Sequence, residues 1–161
     1  MALFDASLEF SDDQSLISTN SVAATAASNT YNFSDTTQEL SGLEIGAGNP
    51  MWLNVRVGTS GVIDGTTDSA STITVALVNE ADTTIDASSR VMYQSRAFTQ
   101  AEMTAGSWLV RVPLPNDIDG QPYMGVLYTS AGAAVTAGSV NAWIDNGPQS
   151  SHDTQVSASN I

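Results

Sequence analysis

Cysteine and lysine are both absent from this chain of 161 residues, and histidine occurs only once. Without cysteine the chain has neither a disulfide framework nor thiolate metal ligands. Without lysine it lacks the amine that forms Schiff bases or clamps phosphates. No apolar run approaches the ~20 residues needed to cross a bilayer. The first residues show no basic region followed by a long apolar stretch, so we expect no secretory signal.

Positive charge is scarce. The four cations are all arginines, against 17 acidic residues, and the formal net charge is −13. Proteins that bind nucleic acids or anionic membranes rely on basic side chains, so we expect neither partner. Two interpretations of the acidity stay open. The charge keeps a Ser/Thr-rich protein soluble, or it steers docking onto a basic partner surface.

Catalytic groups are also scarce. His152 lies in a polar tail, and its neighbours Ser151 and Asp153 would diverge from it on an extended backbone. Asp117 and Asp119 precede Gly120 in a pattern like the front of a calcium loop, but an ordinary turn explains the same residues. We therefore expect no enzyme and no cofactor, with Asp117 and Asp119 as a weak metal candidate.

Alternation of apolar and polar residues dominates the rest of the chain and indicates β-strands. About eight short strands separated by turn clusters predict an all-β fold, an antiparallel sandwich or barrel such as a jelly roll. The capping box from Thr99 to Glu102 predicts at most one short helix. The expected organisation is an N-terminal arm or strand (1–17), the β domain (18–145) and a polar C-terminal tail or arm (146–161).

The three tryptophans are the best local indication of a binding surface. Trp52 and Trp143 lie out of phase with the apolar residues of their strands, whereas Trp108 is in phase with Val110 and Val112 and is expected in the core. Trp52 and Trp143 either cover the second face of a sheet or anchor a protein interface, where Trp and Arg are enriched. The candidate interface residues are Leu3, Phe4, Leu8, Phe10, Trp52, Arg56 and Trp143.

Several segments, in the same order, resemble the Bbp16-like capsid cement proteins of tailed bacteriophages. They are the opening Leu-Phe-Asp and the segments 48–57, 111–115, 123–128 and 136–144. The resemblance implies a jelly-roll-like protein on the outer surface of the virion capsid, where it ties major capsid protein subunits together. It also implies self-association as a homodimer or homotrimer, and it carries over no catalytic residue.

The leading hypothesis is therefore a capsid cement protein that stabilises the expanded shell. The alternative is a carbohydrate-binding or adhesion module of a phage fibre or secreted protein, in which Trp52 or Trp143 would stack on sugar rings. A third hypothesis, an enzyme with two facing carboxylates, would need a deep cleft.

Overall fold

A computed structural model describes residues 9–20, 22–32, 51–64, 70–115 and 121–145. Within these ranges no helix is long and apolar enough to span a membrane. The described residues form twelve strands: β1 (Glu9–Ser15), β2 (Ala23–Ala26), β3 (Tyr31–Asn32), β4 (Trp52–Val57), β5 (Ile63–Asp64), β6 (Thr72–Glu80), β7 (Arg90–Gln94), β8 (Phe98–Thr99), β9 (Trp108–Pro113), β10 (Tyr123–Ala131), β11 (Val135–Ala137) and β12 (Ser139–Asp145).

The strands form a β-sandwich, which confirms the predicted fold class. Sheet A has the order β1-β12-β4-β9, and sheet B has the order β2-β10-β6-β7. Two short strands extend sheet B, because β3 also pairs with β10 and β8 also pairs with β6. A separate two-stranded ribbon joins β5 to β11. All pairings are antiparallel.

The main core lies between the inner faces of the two sheets. Alternate residues of β4 supply Leu53, Val55 and Val57 from sheet A, and Val75 and Leu77 of β6 come from sheet B. Successive side chains of a strand point to opposite faces, so this alternation places the polar residues of β4 on the outside. The outer face of sheet A is therefore set by the same pattern that builds the core.

Strand β6 is buried on both faces, as its nearly continuous apolar sequence predicts. Its inner residues join the main core, whereas Ala76 and Val78 pack with Ile85 and Leu127 in a second, smaller cluster. Sheet B is thus covered on both sides along this strand.

Two local predictions have distinct outcomes. The capping box is confirmed: the side chain of Thr99 is paired with the backbone N–H of Glu102, and the carboxylate of Glu102 accepts a hydrogen bond from the backbone N–H of Thr99 at 2.9 Å. The helix that it starts is only the three-residue 3₁₀ segment Gln100–Glu102. The Gly/Ser/Thr-rich range between β4 and β6 contains strand β5.

Strand β1 belongs to the sandwich itself. It pairs with β12, and Phe10 is fully buried with its ring edge-to-face on Tyr31, the centroids 4.8 Å apart. The Ser11 hydroxyl lies 2.9 Å from the Tyr128 hydroxyl of sheet B, and the Gln14 amide donates to the carbonyl of Ala26 at 2.7 Å. These contacts close one side of the sandwich. The expectations for residues 1–8 and for the tail 146–161 lie outside the described residues.

Candidate protein-interaction surface

All three tryptophans lie on the outer face of sheet A. Trp143 of β12 is opposite Asn54 of β4, and Asn54 is in turn opposite Arg111 of β9, so these three residues share one face. Trp52 is flanked on the same face by Asp145 and Pro113. The out-of-phase positions of Trp52 and Trp143, noted in the sequence, are confirmed.

The prediction that Trp108 belongs to the core is wrong. The register of β9 against β4 shifts between Val55 and Arg56, so that Val110 is opposite Val55 but Trp108 is opposite Arg56. This bulge inserts Leu109 as an extra residue, and Leu109 packs against the core in place of Trp108. Because one extra residue inverts the alternation, the tryptophan turns to the outer face.

Two arginines lie close to the indole of Trp108. The guanidinium carbon of Arg111 lies 5.0 Å from the ring centroid and that of Arg56 lies 5.8 Å from it, both within range of a cation–π interaction. The ring of Trp108 also packs against that of Trp143 at 5.6 Å and 54°. We call these residues the Trp–Arg face: Trp52, Arg56, Trp108, Arg111 and Trp143.

A glycine holds one of these arginines in place. The Nε of Arg56 donates to the carbonyl of Gly106 at 2.7 Å. Gly106 has a φ of 79°, and a Cβ at this position would lie 2.7 Å from a terminal nitrogen of Arg56. Glycine is therefore required both by the left-handed backbone and by the close approach of the guanidinium. This fixed side chain reduces the entropy that Arg56 would lose on binding a partner.

Accessibility differs among the members of the Trp–Arg face. Trp143 is only 2% exposed, so the central part of the Trp–Arg face is not accessible. Trp52, Arg56 and Trp108 are partly buried, and Arg111 is exposed. The accessible part of the Trp–Arg face is thus Trp52, Trp108 and the two guanidinium groups. Trp143, an interface candidate from the sequence, is buried and packs against Trp108.

A cleft of about 300 Å³ opens beside Arg56, and its lining is Arg56, Val57, Gly58, Thr59, Ala105, Gly106 and Asn141.

Asp13 attaches strand β1 to the rest of the domain. Its carboxylate accepts hydrogen bonds from the backbone N–H of Thr59 (2.9 Å), the Thr59 hydroxyl (2.6 Å) and the Ser139 hydroxyl (2.5 Å). These donors, Ser139 first, lower the pKa of Asp13.

The N-terminal interface candidates have other outcomes. Phe10 is corrected from interface to core, because its side chain fills the space beside Tyr31 and has no exposed surface. Leu3, Phe4 and Leu8 lie outside the described residues, as do Asp117, Asp119 and His152. Within the described part of the chain, no group of three or more His, Cys, Asp or Glu side chains is placed to hold a metal ion.

Sequence reasoning placed Trp108 in the core and did not include Arg111 among the interface candidates. The bulge that exposes Trp108 arises from pairing with a strand more than 50 positions away in sequence, so no local pattern reveals it. Arg111 had an available signal, since it alternates with Val110 and Val112 and is one of only four cations.

The fold and this face define a class: an antiparallel β-sandwich with an aromatic and cationic outer face on one sheet. A family model, Bbp16, matches residues 10–144, nearly all of the sandwich. The chain therefore belongs to the Bbp16 family. A search of curated proteins found no match.

Proposed function

We propose that this protein is a capsid cement protein, a structural component that binds the outer surface of a phage head and ties major capsid protein subunits together. The observation that carries the proposal is the Trp–Arg face, through which the protein contacts a neighbouring subunit of the shell. Membership of the Bbp16 family and the resemblance noted in the sequence support this role.

The composition of the face suits protein binding. Tryptophan and arginine dominate the residues whose truncation costs most at interfaces, especially when they are packed and held rigid. The ring of Trp108 lies 5.0 and 5.8 Å from two guanidinium groups and packs against the ring of Trp143. A face built in this way offers a preorganised apolar centre with charged groups at its rim.

Charge and copy number fit a position outside the shell. With a formal net charge of −13, the chain would be repelled by packaged DNA. A ligand that binds only the expanded lattice stabilises that lattice by mass action. Contacts repeated by many copies on one shell gain strength from effective concentration, even where each contact is weak.

The alternative of carbohydrate binding is favoured by one observation, the partly exposed ring of Trp52 on a sheet face. The other two tryptophans speak against it. Trp143 is 2% exposed, and guanidinium groups already lie over the ring of Trp108. A sugar-binding platform needs open aromatic faces, so we place the cement role first.

The test is co-sedimentation of purified protein with expanded heads that lack it. We expect saturable binding and greater resistance of the bound heads to heat. Trp108→Ala should weaken binding by about 30-fold, the size of a 2 kcal/mol hot spot. Arg111→Ala should also weaken binding, whereas its matched control, Arg90→Ala on β7 of sheet B, should bind like the native chain.

The proposal fails if native protein binds heads in no maturation state. Binding to a glycan array that disappears in Trp52→Ala would instead establish the carbohydrate alternative. Circular dichroism of each variant confirms that a loss of binding does not come from unfolding.

A further inference from the structure

Exposed apolar side chains are concentrated at the turn between β1 and β2. Among the described residues three large hydrophobic side chains are exposed, namely Ile17 (61%), Val22 (64%) and Val91 (51%). Ile17 and Val22 both belong to this turn, whereas Val91 lies on β7 of sheet B. A single exposed apolar side chain is ordinary on a protein surface, but apolar side chains grouped together mark interaction sites. The turn is therefore a candidate for a second contact surface, separate from the Trp–Arg face.

The turn is anchored at both of its ends. Leu16 is buried in the main core, and the backbone N–H of Ser18 donates to the carbonyl of Val135 at 2.9 Å. Where β2 begins, the backbone N–H of Ala23 donates to the hydroxyl of Ser130 at 3.1 Å. A partner would thus meet the two exposed side chains on a turn that is already ordered, which lowers the entropy lost on binding.

The same hydrogen bonds place the turn beside the end of β10, and both segments are free of charge. Residues 14–34 and 120–144 contain no charged side chain, although the chain has 17 acidic residues. We call the surface that they form the neutral end, and define it as residues 16–20, 22–26 and 130–134. Asp64 of β5 lies opposite Val135, at the border of this surface. Because charged residues are depleted from the cores of interfaces, a surface that buries no carboxylate of its own suits a partner.

We propose that the neutral end is a second docking surface, and that it binds an uncharged apolar patch on a different major capsid protein subunit from the one that the Trp–Arg face contacts. The inference rests on the cement function proposed above, because a protein that ties two subunits together needs two separate contact surfaces. Ile17 follows β1, whereas Trp108 begins β9. These two strands are the opposite edges of sheet A, so the two surfaces lie on different sides of the sheet.

Charge and side-chain chemistry favour this occupant over others. Two chains of net charge −13 repel each other, and the neutral end has no cation to offset that repulsion, so a second copy of the chain is disfavoured there. Sugar rings stack on aromatic faces, which the aliphatic side chains of Ile17 and Val22 do not offer. An apolar protein surface gains from burying both side chains and brings no charge that needs a partner.

Two contact surfaces on one chain act together on the shell. Once one of them is bound, the other meets its own subunit at a high effective concentration, so neither contact has to be strong by itself. The loss of one surface should therefore weaken head binding while the other surface still holds. The loss of both surfaces should weaken head binding further than the loss of either one alone.

The first test is co-sedimentation of variants with expanded heads that lack the protein. Ile17→Asp and Val22→Asp should each bind about tenfold more weakly than the native chain, because each puts a carboxylate into an apolar contact. Val91→Asp is the matched control, since it places the same charge on another exposed apolar site, and it should bind like the native chain. Val22→Asp combined with Trp108→Ala should bind more weakly than either single variant. Circular dichroism of each variant checks that it is folded.

The second test identifies the occupant. A benzophenone photo-crosslinker at position 22 should form an adduct with the major capsid protein on decorated heads, whereas the same group at position 91 should not. An adduct with a second copy of this chain instead, or no adduct at all, would overturn the inference.

The two tests separate this inference from the proposed function. If the native chain binds heads and Ile17→Asp and Val22→Asp bind equally well, the neutral end is refuted as a docking surface while the cement role stands. If the native chain binds heads in no maturation state, the cement role is refuted, and the neutral end loses the partner assigned to it.

Discussion

Asp13 offers the sharpest test of how the edge strand β1 is attached. It has a φ of 43°, the left-handed region that aspartate tolerates better than most residues do. Its carboxylate accepts three hydrogen bonds from Thr59 and Ser139, and its backbone N–H donates to the Asn141 side chain at 2.6 Å. The side chain and the backbone conformation of Asp13 therefore contribute separately to the stability of the fold, and different substitutions measure the two contributions.

The magnitude follows from these contacts. Each hydrogen bond contributes about 0.5–1 kcal/mol net to the free energy of unfolding. Because Asp13 is exposed, solvent replaces part of this contribution in a variant. Asp13→Gly should therefore lower the free energy of unfolding by about 1–2 kcal/mol. Glycine adopts the left-handed backbone freely, whereas alanine does not. Asp13→Ala should therefore lose about 1 kcal/mol more than Asp13→Gly. For a domain of this size, each kcal/mol corresponds to about 2–4 °C in Tm.

The dependence on pH has a definite sign. The folded pKa of Asp13 is lowered, chiefly by the hydrogen bond from Ser139 and then by those from Thr59. The carboxylate therefore contributes stability above the unfolded pKa of about 3.9 and loses that contribution as the pH falls through the folded pKa. The difference in stability between native chain and Asp13→Asn should be full at pH 6 and shrink below about pH 4.

The assay is urea unfolding followed by tryptophan fluorescence at several pH values, at a protein concentration where the chain is monomeric. Asp12→Asn, the neighbouring exposed acid, is the control and should change stability by less than about 0.5 kcal/mol. Equal stabilities of Asp13→Asn and Asp12→Asn, or an Asp13→Ala variant as stable as Asp13→Gly, would refute the reasoning.

Three further predictions concern other parts of the sandwich. A Cβ at Gly58 would overlap the carboxylate of Asp13 and the hydroxyl of Ser139. Gly58→Ala should therefore lower the urea midpoint at least as much as Asp13→Gly does. An unchanged midpoint would contradict this geometry. Leu77→Ala removes a fully buried side chain and should cost about 2–5 kcal/mol, whereas Val91→Ala, with 51% exposure, should cost less than about 0.5 kcal/mol by the same unfolding assay. Hydrogen bonds from Arg96 and Thr99 lower the pKa of Glu102 to about 2. An NMR titration of the Glu102 carboxyl carbon should show this low pKa in the native chain and a pKa closer to the ordinary value in Arg96→Gln. A titration midpoint that is the same in both proteins would refute the assignment.

The features that could be predicted from the sequence are those formed by residues close together in the chain. Strands β6 and β12 were readable because alternation and turn residues lie within one short window, and the capping box was readable because its two residues are three positions apart. The hydrogen bonds to the Asp13 carboxylate could not be predicted, because their donors lie 46 and 126 positions away in the chain. The candidate site divides in the same way, because the outward phase of Trp52 and Trp143 is local whereas the outward turn of Trp108 depends on a register shift.

The amino-acid sequence alone determined the all-β class, the scarcity of cations and the alternation that separates inner from outer residues. These properties depend on composition and on period-two patterning, which neighbouring residues express without help from the rest of the chain. Only the tertiary structure decided which strands form the edges of sheet A, that Phe10 is core and Trp108 is surface, and that two arginines meet over one indole. Strand order and register bring together residues far apart in the chain, and their energies depend on distances that no local pattern encodes.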